Sequence, residues 1–144
     1  MTRTVNGDLP VSFRYTPGVA NTAFFEALRD RGVLLGSRCD ACAMTYLPAR
    51  MFCERCFAEL SPQAECGPGG VIESFTTGHT GIDGEALDEP VTLGLIRLDG
   101  ADTVLMHRLL GIGAPAIGLR VTAQLRAERS GSILDIEGFA TEEV

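Results

Sequence analysis

Four cysteines arranged in two C-x-x-C units are the residues with the clearest chemical potential in this chain. Cys39 and Cys42 form the first unit, and Cys53 and Cys56 form the second, with ten residues between the two units. Two residues between thiolates let one tight turn direct both sulfurs towards a single ion. Four soft ligands presented by two such turns suit a tetrahedral zinc ion. The spacing therefore predicts one four-cysteine metal site, with zinc favoured over an iron site built from similar ligands.

Such a site is expected to be structural, because four thiolates leave no coordination position for water or substrate. Binding of the ion would instead help to fold a segment too small to fold by itself. A pair of disulfides is the less favoured interpretation, since the N-terminal residues lack the apolar run of a secretory signal. A redox C-x-x-C unit would explain only one of the two pairs.

No other residues form a convincing catalytic set. The fifth cysteine, Cys66, could be a spare ligand or a reactive thiol, but a buried residue at a hinge is favoured. His79 is predicted in a polar loop and His107 on the face of a strand, and for both the structural interpretation outweighs a ligand-binding role. An enzyme that uses Cys66 or His79 remains a third functional hypothesis. The site prediction therefore contains no catalytic residue.

Composition and charge restrict the functional classes. The chain has 144 residues, 45% of them apolar, and a formal net charge of −7. A nucleic-acid-binding protein would need a basic face to neutralise phosphates. All 12 basic residues are arginine, which excludes Schiff-base chemistry and a lysine general base. The apolar runs are too short to span a membrane. We expect a cytoplasmic protein that binds neither nucleic acid nor membrane.

The elements that position the cysteines begin with a short helix. Asn21 is a credible N-cap and Gly32 a natural C-terminal stop, while residues 11–15 could form a short strand. The segment Cys66–Gly70 reads as a turn that ends the cysteine region. The pattern predicts three parts: residues 1–37 as an N-terminal extension and helix, 38–66 as a zinc ribbon, and 67–144 as a barrel.

Beyond the turn, the hydrophobic pattern changes to a period of two. Alternation of this kind predicts strands, and five of them at this spacing favour a small antiparallel OB-like barrel, with a small sandwich as the competing fold. The fold class is accordingly mainly β: an N-terminal helix and four-cysteine ribbon followed by a five-stranded barrel. The predicted strands are Val71–Thr77, Val91–Leu98, Thr103–Leu110, Ile117–Leu125 and Ile133–Phe139.

The order of helix, cysteine turns, glycine-rich turn and strands resembles the family of small zinc-ribbon plus OB-fold proteins associated with acyl-CoA enzymes. That family carries an aromatic-Pro-Pro-Arg segment between its cysteine turns. The segment Tyr46–Arg50 is similar, although Leu47 and Ala49 depart from the pattern. A second departure is that Ala43 and Phe57 follow the cysteine pairs where many such turns have glycine, so altered turns are expected. The resemblance covers roughly residues 20–140.

The resemblance implies an accessory subunit that has no catalytic residues of its own. Members of the family assemble with thiolase-like enzymes or their aldolase relatives, and some occur with thiolases of aromatic-compound degradation. A thiolase-like catalytic partner, a hetero-oligomer and a coenzyme A thioester at the subunit interface are therefore expected, with one structural zinc ion per chain. Arg38 and Arg50 are the candidates for holding a CoA phosphate or a partner carboxylate.

Two questions stay open in the sequence. Large apolar residues of the helix and the ribbon could form a contact surface or could fill the protein's own small core; these are Phe24, Phe25, Met51, Phe52 and Phe57. The alternative function is single-stranded nucleic-acid binding on the barrel, a use that OB folds often have. The acidic balance argues against it, and so does the presence of only two aromatic residues, Phe75 and Phe139, after the glycine-rich turn.

Overall fold

The structure, a computed structural model, describes residue 7 and residues 11–141. One helix and two antiparallel sheets make up the described chain. The elements are α1 (Gly18–Arg31), β1 (Leu34–Cys39), β2 (Met44–Tyr46), β3 (Pro62–Cys66), β4 (Gly69–Thr80), β5 (Ala86–Leu98), β6 (Val104–Arg108), β7 (Arg120–Leu125), a 3-10 helix (Ile133–Asp135) and β8 (Ile136–Thr141).

Helix α1 ends where its sequence predicts. Gly32 adopts a left-handed conformation with φ of 66°, and its N–H is directed to the carbonyls of Ala27 and Leu28. The predicted N-cap is wrong: the helix begins at Gly18 after Pro17, which places Asn21 inside its first turn. Proline is suited to a helix start because its fixed φ is already helical. Residues 11–15, expected as a strand, have no regular secondary structure.

The smaller sheet forms the ribbon and has the strand order β2-β1-β3. Strand β1 pairs with β2 through Cys39 opposite Met44, so the first cysteine turn connects these two strands directly. On its other side, Leu34 of β1 lies opposite Cys66 of β3. Strand β3 leads into the turn at Gly67, and β4 begins the second sheet at Gly69.

The larger sheet has the order β6-β5-β4-β7-β8, and its two outer strands approach each other. Leu109 forms a parallel bridge with Phe139, and the Leu110 N–H donates to the Phe139 carbonyl at 2.7 Å. The sheet therefore curls into a partly closed barrel, as the OB-like prediction requires, and the sandwich is excluded. Five strands occur near the predicted positions.

Strands β4 and β5 extend beyond their predicted ends, to Thr80 and back to Ala86, whereas two other strands begin later than predicted. The strand expected from Ile117 begins only at Arg120, because Gly118 is left-handed with φ of 86°. The strand expected from Ile133 begins at Ile136, because the Ser132 side chain caps a 3-10 helix over Ile133–Asp135. In both places a short-range turn preference overrides the alternating pattern.

One continuous apolar core joins the helix, the ribbon and the barrel. Phe24 and Leu28 of α1 are packed together with Leu34 and Leu35 of β1 and with the barrel interior, and Phe139 belongs to the same cluster. The ribbon is therefore not stabilised by its metal site alone, since its strands β1 and β3 both contribute side chains to the main core.

Hydrogen bonds to the backbone of Thr45 and Leu47 fix the ribbon to the barrel as well. Thr45 N–H donates to Asp102 Oδ2 at 2.8 Å, and Asp102 N–H donates to the Thr45 carbonyl at 2.9 Å. Leu47 and Thr103 form a second reciprocal pair, at 2.8 and 2.9 Å. These four bonds attach the segment after the first cysteine turn to the connection between β5 and β6.

Among the described residues, none of the helices has the length and apolar character that crossing a membrane would require.

Candidate metal centre

The cysteine site is assembled from two turns at one end of the ribbon. Cys39 ends β1, and Cys42 follows in the turn before β2. The second turn is held by a hydrogen bond from Cys53 N–H to the Ala58 carbonyl at 2.9 Å, and by one from Phe57 N–H to the Cys53 carbonyl at 3.0 Å. Cys39 and Cys53 are buried, Cys42 is half-buried and Cys56 is exposed. The two turns thus face each other at the protein surface.

The four sulfurs have the spacing that a tetrahedral ion requires. All four Sγ atoms lie within 4.8 Å of one another, and Cys39 Sγ is 3.6 Å from Cys56 Sγ. A regular ZnS₄ tetrahedron with Zn–S bonds of about 2.3 Å has S···S edges of about 3.8 Å. The donor set therefore fits one zinc ion, and Cys39, Cys42, Cys53 and Cys56 are positioned to bind it.

The residues after the two cysteine pairs keep the usual turn. Ala43 has φ of 53° and Phe57 has φ of 60°, the two non-glycine residues with positive φ in the described chain. Both positions are left-handed, the conformation for which glycine is the common choice. The expectation of altered turns is therefore wrong: the backbone conformation is retained, and the side chains occupy it at an energetic cost.

Tyr46 packs against the cysteine site from the protein interior. It is fully buried in a small cluster with Cys39, Cys53 and Leu60, and its hydroxyl lies 3.2 Å from Cys53 Sγ. Arg55 N–H donates to the same sulfur at 3.4 Å. The hydrogen bond from Tyr46 is the main reason that the pKa of Cys53 falls to about 6, and the same contact raises the pKa of Tyr46 to about 12. Both effects favour a thiolate at Cys53.

Sequence reasoning missed this role of Tyr46. The sequence marks Tyr46 only as part of the Tyr46–Arg50 segment, and nothing in the spacing indicates contact with the metal ligands. The available signal is its position three residues beyond the first turn, as the last residue of the short strand β2. On β2, Thr45 and Tyr46 point to opposite sides, and Tyr46 lies opposite Ser37.

The two arginines proposed as ligand contacts lie near the site but are already engaged. Arg50 forms an ion pair with Glu54 at 2.8 Å, and its guanidinium carbon lies 5.1 Å from the centre of the Tyr46 ring. Arg38 lies 3.6 Å from Asp40 and donates to Thr45 Oγ1 at 3.4 Å. Both side chains remain about half exposed. They flank the ribbon and do not converge on a single cavity.

The remaining candidate residues lie apart. Cys66 is buried at the end of β3, where burial raises the pKa of its thiol. His79 is exposed on β4, so its predicted loop position is wrong. His107 is half-buried on β6, where burial lowers its pKa and its Nε2 lies 3.4 Å from the Ile133 carbonyl. Across residues 11–141, no hydrogen bond joins either histidine to Cys66.

Of the five apolar residues considered for a contact surface, some lie in the core and others at the surface. Phe24 is 1% exposed and belongs to the core, and Phe25 and Met51 are partly buried against it. Phe52 and Phe57 are 59% and 78% exposed on the second cysteine turn. The core interpretation is therefore correct for the helix, and the surface interpretation for the ribbon end.

Two family models match adjacent parts of the chain. Residues 27–61 match the ChsH2 rubredoxin-like zinc ribbon domain, and residues 63–126 match the ChsH2 C-terminal OB-fold domain. The order of the two matches is the order of the two sheets. No curated protein matched the chain in sequence.

Two solved structures resemble most of the chain, across both sheets. One is a protein of unknown function from the DUF35 family of Sulfolobus solfataricus, with 24% identity, a TM-score of 0.66, and coverage of 86% of this chain and 84% of that one. The other is described as the Ltp2-ChsH2(DUF35) aldolase, with 25% identity, a TM-score of 0.64, and coverage of 89% of this chain and 98% of that one. The first supports the fold alone, and the second links the fold to an aldolase.

Proposed function

We propose that this chain, which belongs to the ChsH2 family of paired zinc-ribbon and OB-fold domains, is a non-catalytic accessory subunit of a thiolase-fold enzyme acting on acyl-CoA substrates. The catalytic partner would be an acyl-CoA thiolase, an acyltransferase or an aldolase. The chain would dock on that partner and help to shape its acyl-CoA site.

One observation supports this proposal most directly. The match to the Ltp2-ChsH2(DUF35) aldolase includes 98% of that chain and 89% of this one, so both domains and their order are shared. A shared single domain would indicate only a common fold. A shared pair of domains in the same order favours a shared mode of assembly.

The chemistry of the described residues is consistent with an accessory role. A nucleophile needs a base within hydrogen-bonding distance, and Cys66 is instead buried with its sulfur 3.8 Å from the Ala64 carbonyl. The two histidines lie on β4 and β6, and among the described residues neither forms a hydrogen bond with a cysteine. The catalytic groups are therefore proposed to come from the partner subunit.

Zinc would have a structural role in this assembly. Cys39, Cys42, Cys53 and Cys56 would hold it with no open coordination position, so it would supply folding energy and rigidity to the ribbon end. That end carries the exposed side chains of Phe52 and Phe57.

Direct contact with CoA is proposed only through the flanking arginines. Arg38 and Arg50 are each about half exposed, which leaves donors for a phosphate or for a partner carboxylate. The net charge of −7 disfavours strong binding of a polyanion by this chain alone. A coenzyme A thioester is therefore placed at the interface, with most of its contacts on the partner.

The barrel lacks the exposed aromatic rings with which a protein binds single-stranded nucleic acid. Of its two aromatic residues, Phe139 is fully buried and Phe75 alone is exposed, whereas base stacking requires several exposed rings on a basic groove.

The proposal is tested by purifying the tagged chain from its native cells and identifying any thiolase-fold protein that co-purifies with it. We expect a stable complex with about one zinc ion per chain, and thiolase or aldolase activity on acyl-CoA that the isolated chain lacks. A Cys66→Ala variant serves as the control and should form an equally active complex.

Two results would contradict the accessory role. Activity of the isolated chain that disappears in Cys66→Ala would identify an enzyme in its own right. Failure to bind any thiolase-fold protein, combined with a salt-sensitive shift of a single-stranded oligonucleotide, would favour the nucleic-acid alternative.

A further inference from the structure

A two-stranded arm projects from the barrel. The arm is defined as residues 73–92, the distal parts of β4 and β5 with their connecting turn. Strand β7 pairs with β4 only at Gly69–Val71, and β6 pairs with β5 only from Leu93 onwards. Within the described chain, β4 and β5 pair only with each other along the arm, apart from one bond at its base, in which Leu109 N–H donates to the Thr92 carbonyl at 2.9 Å. Residues 73–80 and 82–90 are all exposed.

Such an arm is not stabilised by burial in the free protein. A two-stranded ribbon with both faces in water is marginal by itself, and its outer edges leave backbone donors and acceptors unpaired. Thr77 Oγ1 and Thr92 Oγ1 lie 3.0 Å apart, a cross-strand contact of modest strength. A partner that covers one face of the arm, or pairs with one of its edges, would therefore stabilise it.

Apolar side chains are exposed along the arm and at its base. Ile82 at the turn is fully exposed, and Phe75 and Leu87 are 40% and 37% exposed. At the base, Leu95 and Met106 lie opposite each other on neighbouring strands and are 36% and 64% exposed. They line a shallow groove of about 210 Å³, completed by Ser74, Phe75, Thr76, Leu93 and Gly94.

The arm is also strongly acidic. It contains Asp83, Glu85, Asp88 and Glu89 near its turn and no arginine at all. Within the part of the chain that the structure describes, no ion pair involves these four carboxylates. The fifth, Glu73, is paired with Arg97 at 2.6 Å at the base of the arm.

We propose that the arm and its basal groove are the docking surface for a protein partner that inserts an apolar side chain into the groove and sets arginine or lysine residues against the four carboxylates near the turn of the arm. Charge complementarity selects this occupant. A second copy would bring two sets of four carboxylates together, and nucleic acids and anionic lipid surfaces would be repelled. This inference rests on the proposed function, since the partner is the thiolase-fold subunit.

The groove is tested with the substitution Met106→Glu. The measured quantity is the dissociation constant of the complex between the zinc-loaded chain and the thiolase-fold subunit. A charge placed in an apolar contact should weaken binding at least about ten-fold. Leu134→Glu is the matched control, because Leu134 is 61% exposed on the 3-10 helix, close to the 64% of Met106. It should leave the dissociation constant unchanged, and circular dichroism with zinc content should show that both variants are folded.

The acidic end is tested with the double substitution Glu85→Arg and Asp88→Arg. Electrostatic attraction acts mainly on encounter, so the association rate should fall about ten-fold or more and lose most of its salt dependence. Glu128→Arg with Glu137→Arg, two exposed carboxylates away from the arm, makes the same change in net charge and should have a much smaller effect.

The outcomes separate the inference from the proposed function. If the wild-type chain binds the thiolase-fold subunit and the arm variants bind as tightly as their controls, the docking surface is wrong and the accessory role stands. If the arm variants change only self-association of the chain, the occupant is a second copy and the inference is overturned. If the wild-type chain binds no such subunit, the proposed function fails and the inference fails with it.

Discussion

Ala43 and Phe57 show how a ribbon of this type is formed without glycine after its cysteine pairs. Their positive φ angles let the chain turn back under the sulfurs, and each residue does so against the steric preference of an L-amino acid. A left-handed conformation costs a non-glycine residue roughly 1–2 kcal/mol. The ion and the surrounding hydrogen bonds must offset that cost, which makes these positions sensitive to substitution.

Ala43→Gly should stabilise the zinc-loaded protein, since relief of the strain exceeds the added entropy of the unfolded chain. We expect a gain of up to about 1 kcal/mol in the free energy of urea unfolding. Ala41→Gly is the matched control in the same turn, where φ is not positive, and should destabilise by about 0.5–1 kcal/mol. Equal effects of the two substitutions would contradict the strain argument.

Tyr46→Phe should weaken zinc binding and leave the fold intact. The hydroxyl that lies 3.2 Å from Cys53 Sγ favours the thiolate, and its removal takes away that support. Loss of an outer hydrogen bond to a metal ligand typically lowers metal affinity about 10- to 100-fold. Competition with a chromophoric chelator measures the change. The control Tyr15→Phe, at an exposed position, should leave the zinc affinity unchanged. An unaltered zinc affinity in Tyr46→Phe would show that the Tyr46 hydroxyl does not support the metal site.

At the scale of elements, the segment before β8 shows how a buried carboxylate organises backbone. Asp135 is 1% exposed and accepts hydrogen bonds from the N–H groups of Ser130, Gly131 and Ser132, and from Ser130 Oγ. Burial alone would raise its pKa, but these donors outweigh burial and lower it. The same loop reaches the helix, because Arg129 Nε donates to the Leu28 carbonyl at 2.9 Å.

Asp135→Asn should destabilise the protein at neutral pH by about 2 kcal/mol, because an amide accepts fewer of these bonds than a carboxylate. A lowered folded-state pKa means that the carboxylate contributes its full stability above the ordinary Asp pKa of about 3.9, and loses it as pH falls through the folded value. The difference between wild type and variant, measured by urea unfolding, should therefore shrink in acid. A pH-independent difference would contradict this account, and Asp88→Asn on the exposed arm is the control.

At the scale of the whole molecule, the ribbon and the barrel are joined in two ways. Leu34 and Leu35 extend the barrel core into the ribbon sheet, and the reciprocal bonds of Thr45 with Asp102 and of Leu47 with Thr103 tie the other ribbon strand to the β5–β6 connection. The metal site and the barrel are therefore expected to unfold as one unit when zinc is bound.

Thr103→Val tests that coupling. The substitution keeps the side-chain shape but leaves the N–H and carbonyl of the buried Leu47 without their partner, a loss of about 2 kcal/mol. Hydrogen exchange of β1 and β2 should then quicken relative to that of β7 and β8. Thr76→Val, at an exposed position, should change stability by less than about 0.5 kcal/mol. If ribbon and barrel amides exchange at unchanged relative rates, the two sheets are held together by the core alone.

The metal ligands and the class of fold were determined by the sequence itself, because both depend on short-range patterns. Two C-x-x-C units specify a four-thiolate site from spacing alone, and Gly32 ends its helix by a backbone preference that no distant contact needs to supply. Alternating apolar residues located the five barrel strands for the same reason: burial of one sheet face imposes a period of two.

Only the tertiary structure decided which residues act on one another across the chain. The contact of Tyr46 with Cys53 depends on how the two cysteine turns face each other, and the donors around Asp135 gather only because a capped 3-10 helix replaces the expected strand. The arm, too, is invisible as a surface in the sequence, where residues 73–92 read as strand and loop. Its exposure follows from where β6 and β7 stop pairing, and that depends on how the barrel closes.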